Sequence, residues 1–99
     1  MPRYILSPEA KDDILEIRAY LVEQGGKRLA RYVLGEFTNA FELLASRPEA
    51  GHRRQDLTPE PVKFWSVFSY LLVYDPASRP VAIVRVLSGS RDVEAVLRE

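Results

Sequence analysis

A chain of 99 residues with 46% hydrophobic side chains has the size and composition of one folded domain, which excludes a disordered polypeptide. Lys plus Arg number 14 and Asp plus Glu number 14, so the net charge is zero; that argues against a generic polyanion binder but leaves room for a local basic patch. Cysteine is absent, which excludes disulfides and thiolate metal sites.

Arg3-Tyr4-Ile5-Leu6 is a short apolar run that reads as a first strand. Ser7 then suits an N-cap and Pro8 the first helical position. Glu9, Asp12 and Asp13 place negative charge where a helix dipole favours it. The first helix is expected from about Pro8 to Gln24. Ala10, Ile14, Ile17 and Leu21 share one face, and Leu15, Ala19 and Val22 form a second stripe roughly 120° around the axis. Gly25-Gly26 is expected to end it. A second helix is expected from about Lys27 to Ser46, with Ala30, Val33, Leu34, Phe37, Ala40, Phe41 and Leu44 on its main face and Leu29, Tyr32 and Leu43 to one side. Gly35 falls opposite that face and should cost about 1 kcal/mol relative to alanine. Two helices joined by two glycines imply an antiparallel hairpin.

After Pro48 and Gly51 the period changes. His52 to Leu57 is polar and reads as a weak edge strand, and Thr58-Pro59-Glu60-Pro61 as a loop. Val62 to Val67, Tyr70 to Asp75 and Val81 to Leu87 are β-branched or aromatic runs separated by turn residues, hence strands. The last two are apolar at both parities apart from Arg85, so both faces of the sheet need cover. The helical hairpin covers one. The tail from Ser90 to Glu99 carries Val93, Val96 and Leu97 on one side of a short helix that needs a surface to dock on. The fold class is α+β: an N-terminal strand, a two-helix hairpin, then a mainly antiparallel sheet of three or four strands and a short C-terminal helix, all in one domain spanning residues 1–99.

The chemistry of a hydrolase or nucleotide enzyme is missing. His52 is the sole histidine, no glycine-rich phosphate loop precedes a helix, and no Gly-x-Ser-x-Gly elbow occurs. No metal site or cofactor is expected. Asp12, Asp13 and Glu16 read as a solvated helix start. Arg53, Arg54, Lys63, Arg85 and Arg91 all lie in the sheet half. Arg85 interrupts an apolar strand, so it either pairs with a carboxylate or opens onto a groove. Tyr70 and Tyr74 share one strand face and read as packing residues with hydroxyls at the rim. Met1-Pro2-Arg3-Tyr4 has no apolar stretch of signal type, and no run approaches the ~20 residues that span a membrane, so a cytoplasmic location without membrane contact is expected.

Four segments in this order resemble the ParE/RelE superfamily of bacterial toxins, the ParE branch above all. They are Leu6 to Ile17 at the first helix, Leu44 to Gly51 at the exit of the second, Tyr70 to Tyr74 in the penultimate strand, and Ile83 to Asp92 in the last strand and tail. The resemblance implies a type II toxin that inhibits DNA gyrase and is neutralised by a ParD-like antitoxin, with operator DNA met only through the antitoxin. The alternative it implies is a ribosome-dependent mRNA endoribonuclease of RelE type, for which Arg53, Lys63, Arg85 and Tyr74 would be the catalytic candidates. Two departures bear on this choice. The tail reads Ser88-Gly89-Ser90-Arg91-Asp92 where the ParE pattern often begins with histidine, and no Tyr or His follows Tyr74, which favours the non-catalytic branch. A third possibility is a family member that only binds its antitoxin. On the first reading no residue is catalytic. The candidates for the toxic face are Arg53, Arg54, Arg85 and Arg91. The candidates for antitoxin contact are the apolar side stripes, Leu15, Ala19, Val22, Leu29, Tyr32 and Leu43, because apolar helix surface in excess of core needs marks a binding site.

Overall fold

The computed structural model describes residues 3–89 and 92–98. Strand β1 (Tyr4–Leu6) ends at Ser7. The Ser7 hydroxyl accepts the Ala10 N–H at 3.0 Å and so caps the helix that Pro8 begins. That helical stretch, α1, runs from Pro8 to Ser46. The two separate helices with a Gly-Gly loop expected from the sequence are therefore replaced by one element with a single interruption. Gly26 alone leaves helical geometry, at φ 83° and ψ 179°, a conformation that costs glycine little and other residues much. Gly25 stays helical because one glycine suffices to redirect the chain. A straight helix of this length would be about 58 Å long, whereas the longest dimension of the Cα trace is 36 Å, so α1 bends at Gly26 into a first arm (residues 8–25) and a second arm (27–46).

A turn of 3₁₀ helix follows at Pro48–Ala50. Three further strands then form, β2 (Lys63–Val67), β3 (Tyr70–Asp75) and β4 (Val81–Ser88), and a final helix, α2, spans Val93–Arg98. The sheet order is β1-β4-β3-β2. β1 lies parallel to β4, and the other two pairings are antiparallel. The edge strand expected from His52 to Leu57 shrinks to one bridge between His52 and Phe64. Beyond it, Leu57 and Thr58 both donate their N–H to the Arg54 carbonyl at 2.9 and 3.1 Å, which curls the chain out of the sheet.

Both faces of the sheet are covered. On one, Leu72, Tyr74, Val81, Ile83 and Val86 pack with Ala10, Leu21, Ala30, Val33, Phe37, Ala40, Phe41 and Leu44 from α1. Phe37 meets Tyr70 edge-on at 5.3 Å, and Phe41 meets Tyr4 at 5.3 Å. On the other, Phe64, Val73 and Leu87 pack with Val93 and Val96 of α2, with Leu57, Val62 and Leu97 at the margin. The strands apolar at both parities are thus central, as the sequence pattern requires.

Tyr74 ties the helix exit to the sheet. Its ring is fully buried, and its hydroxyl lies inside the fold rather than at a rim. It donates to the Pro48 carbonyl at 2.7 Å and accepts the Gly51 N–H at 2.8 Å. A Cβ on residue 51 would sit 2.5 Å from that hydroxyl and 2.8 Å from the Phe64 carbonyl, so only glycine fits.

Replacing Tyr74 by Phe strands a buried donor and a buried acceptor, and should lower stability by about 1–3 kcal/mol in urea melts. Burial, reinforced by Glu49 and opposed by the Gly51 hydrogen bond, holds the Tyr74 hydroxyl above its usual value. The unfolded chain therefore releases this proton first. The stabilisation is complete below about pH 10 and is lost as pH rises beyond it, so the wild type should lose more stability than Tyr74→Phe across that range. Gly35 is exposed, helical and faces open space. Gly35→Ala should raise stability by about 0.5–1 kcal/mol, read from the urea midpoint.

Candidate functional site

β4 runs on to Ser88, while β1 pairs only with Val81 to Ile83. Among the described residues no strand lies beside the outer edge of β4 beyond Ile83, and the start of α1 takes that place. The Ser7 N–H reaches the Ile83 carbonyl at 3.0 Å, and the Ser7 hydroxyl donates to the Val84 carbonyl at 2.7 Å. Two turns further on, Asp13 accepts the buried Val86 N–H at 3.0 Å. The same carboxylate receives the Arg85 guanidinium through two bonds, from Nε at 2.8 Å and from Nη2 at 2.9 Å. Val73 pairs with Arg85 but Tyr74 with Ile83, which leaves Val84 as an extra residue in β4. Such a bulge re-aims the side chains beside it. Of the two readings of Arg85, carboxylate pairing is the one realised. Asp13 is only 5% exposed, which corrects its reading as part of a solvated helix start. The spacing held the signal, because position 13 lies three residues after Ala10 and four before Ile17, on the core-facing stripe.

The other arginine candidates are placed differently. Arg53 and Arg54 are exposed in the segment after Gly51. Arg54 binds Asp56 at 3.0 and 2.8 Å, and this hydrogen-bonded contact raises the Arg54 pKa and lowers that of Asp56. Both members are in water, so the pair adds little to stability. Arg53 takes part in none of the three ion pairs formed among the described residues. Arg91 lies outside the described residues. The alternative set of Arg53, Lys63, Arg85 and Tyr74 is committed elsewhere in three of its four members. Tyr74 is sealed between Pro48 and Gly51, Arg85 is held by Asp13, and the Lys63 Nζ donates to the Glu49 carbonyl at 3.4 Å.

The apolar candidates divide. Leu15, at 64% exposure, and Ala19 lie on the outer side of the first arm, whereas Val22 is half-buried against the core. On the second arm Leu29 and Tyr32 are exposed, and Leu43 is half-buried. Tyr32 and Leu43 come together with Trp65, Val67 and Phe68 around a groove of about 420 Å³ between the second arm and β2. The rings of Tyr32 and Phe68 are 5.9 Å apart. Trp65 and Phe68 were not among the sequence candidates. Phe68 carried a signal, since a bulky aromatic in a two-residue hairpin tip occupies a position that usually takes glycine or asparagine. Here it adopts φ 54° and remains 58% exposed.

A second cleft, of about 460 Å³, opens beside the Asp13–Arg85 contact, between the first arm and the ends of β3 and β4. Glu16, Ile17, Tyr20, Tyr70 and Val86 line it.

The family model described as the ParE toxin of the type II toxin-antitoxin system parDE matches residues 4–93. A solved structure titled as the chromosomal ParDE TA system from P. aeruginosa is similar in fold, with a TM-score of 0.73 at 15% identity, covering 86% of this chain and 92% of that one. No curated protein matches.

Asp13→Ala leaves the Arg85 guanidinium and the Val86 N–H without their shared acceptor, and should cost about 3 kcal/mol. Asp13→Asn keeps one acceptor oxygen and should cost less. The urea midpoint reads both, and an Asp13→Ala, Arg85→Leu double variant should recover part of the loss.

Proposed function

The chain belongs to the ParE toxin family of type II toxin–antitoxin systems, and from that premise we propose that it stops growth by inhibiting DNA gyrase and is silenced by direct contact with a ParD-like antitoxin. The observation that carries this reading is the family match across residues 4–93, nearly the whole chain. Two features of the fold support it. The groove between the second arm and β2 exposes the rings of Tyr32 and Phe68 beside half-buried Leu43, Trp65 and Val67, a face that a partner segment can bury through spaced apolar anchors. The exposed Leu15, Ala19 and Leu29 extend the apolar surface available on α1. In addition, the hydroxyl that the ribonuclease alternative would use, that of Tyr74, is consumed inside the fold.

Arg53, Arg54 and Arg91 are the arginines we assign to contact with gyrase. Arg85, whose guanidinium is bound by Asp13, is not assigned to that contact. With zero net charge, the chain meets operator DNA through its antitoxin rather than by itself. It acts as one domain in the cytoplasm, where gyrase works. We read the two arms of α1 as an antiparallel hairpin, a reading supported by the side chains that both place in one core layer.

The purified chain, mixed with gyrase and relaxed plasmid, should abolish supercoiling, and the polypeptide encoded by the adjacent reading frame should restore it. Arg53→Glu should weaken the inhibition. Tyr32→Glu should leave it intact but loosen the antitoxin complex by roughly tenfold or more. Undisturbed supercoiling, together with cuts in mRNA on translating ribosomes, would sink the gyrase assignment.

A further inference from the structure

The cleft beside the Asp13–Arg85 contact belongs to neither surface described above. Its walls are half-buried Ile17, buried Val86, two phenol rings, and Ser69 and Ser88 at the strand ends. The Tyr70 ring is held edge-on against Phe37, while Tyr20 is 56% exposed. Burial, with the Tyr20 phenol close by, keeps the Tyr70 hydroxyl above its usual value, so it is neutral at physiological pH. Two carboxylates face the cleft. That of Asp13 is taken by Arg85 and the Val86 N–H. That of Glu16 is exposed and enters none of the ion pairs among the described residues.

A largely apolar and aromatic wall with one carboxylate that has no ion pair among the described residues is complementary to a long side chain that has an aliphatic stem and a cationic end. The stem packs on Ile17 and the rings, and the cation meets the Glu16 carboxylate and the phenol faces. An anion is repelled by Glu16, and an apolar ligand leaves that charge unmatched. A free amine gains only a screened surface ion pair, too weak to hold it in place. A side chain on a polypeptide already anchored elsewhere enters as an intramolecular event at high effective concentration. We propose that this cleft receives one arginine or lysine side chain of the antitoxin polypeptide, with Glu16 as its counter-ion and Tyr20 and Tyr70 as its aromatic walls. The proposal rests on the antitoxin reading above and names a second contact within it, separate from the Tyr32–Phe68 groove.

The test uses the full chain and the polypeptide of the adjacent reading frame as the probe, with Kd measured at low and at raised salt. Glu16→Gln should weaken the complex by roughly tenfold at low salt and flatten its salt dependence. Tyr20→Ala should also weaken it. Glu16 and Tyr20 are exposed, so the fold should survive both changes, and circular dichroism checks this. Each Arg and Lys of the probe is then changed to Gln. One of them should reproduce the Glu16→Gln loss, and the two changes together should add nothing further. Wild-type affinity for Glu16→Gln and Glu16→Arg, while Tyr32→Glu still loosens the complex, would overturn the cleft assignment and leave the antitoxin reading standing. A loss for Glu16→Gln that couples to no basic residue of the probe would overturn it too. If the wild-type chain forms no complex at all, the antitoxin reading itself fails, and the cleft proposal with it.

Discussion

The architecture turns on a strand edge that lacks a strand. β4 outlasts β1, and the Val86 N–H on its outer side is buried. A buried backbone donor without a partner costs as much as a lost hydrogen bond, so something must supply an acceptor there. Asp13 does so, and because its other oxygen is bound by Arg85 the carboxylate is fixed in both position and orientation. A helix tied at residue 7 by the Ser7 hydroxyl and again at residue 13 has little freedom to slide or roll on the sheet. The side chains that follow on the same arm, Glu16 and Tyr20, inherit that placement. The cleft they line is a consequence of how the strand edge is closed.

The second constraint is the doubly apolar sheet. β3 and β4 carry large side chains on both faces, and α1 can cover only one of them. A six-residue helix has no independent stability, so α2 exists as a helix because Val93 and Val96 have Phe64, Val73 and Leu87 to pack on. On the first face the helix exit is locked by Tyr74, whose hydroxyl joins Pro48 to Gly51. Sheet and helices are thus joined by two buried polar links, one at the entry of α1 and one just past its exit, with apolar packing between them.

The elements that were legible in the sequence are those decided by local chemistry. Ser7-Pro8 started a helix because a hydroxyl cap and a fixed φ act within one turn. The last three strands were visible because β-branched and aromatic runs lay between turn residues. Whatever depended on distant partners was hidden. Asp13 was read as solvated because three nearby acids suit a helix start, and only the sheet edge shows why one of them is buried. Gly25-Gly26 reads as a helix end because glycine readily takes a left-handed cap conformation, yet only Gly26 adopts positive φ and the chain continues helical on either side. His52 to Leu57 was read as a strand from its position, but the Arg54 carbonyl gathers two N–H groups there and turns the chain away. Residues 16 and 20 do not stand out as a pair in the sequence, since the tyrosine beside them, Tyr70, lies far along the chain on β3.

Zero net charge conceals an uneven distribution of charge, and that distribution decides which surfaces can act. Arg85 is neutralised within the fold by Asp13, and Arg54 is largely neutralised by Asp56. Arg53 is exposed after Gly51, while Glu16 lines the cleft beside Asp13. Arg53 and Glu16 belong to none of the ion pairs formed among the described residues, and the apolar groove of Tyr32 and Phe68 is a further surface. A partner that bridges the groove and the anionic cleft must carry both an apolar anchor and a cation at a fixed separation. That requirement is more selective than either contact alone, because a chain satisfying one without the other loses the gain of simultaneous engagement. On the contacts proposed above, discrimination between related partners rests on spacing along the partner chain rather than on the strength of any single contact.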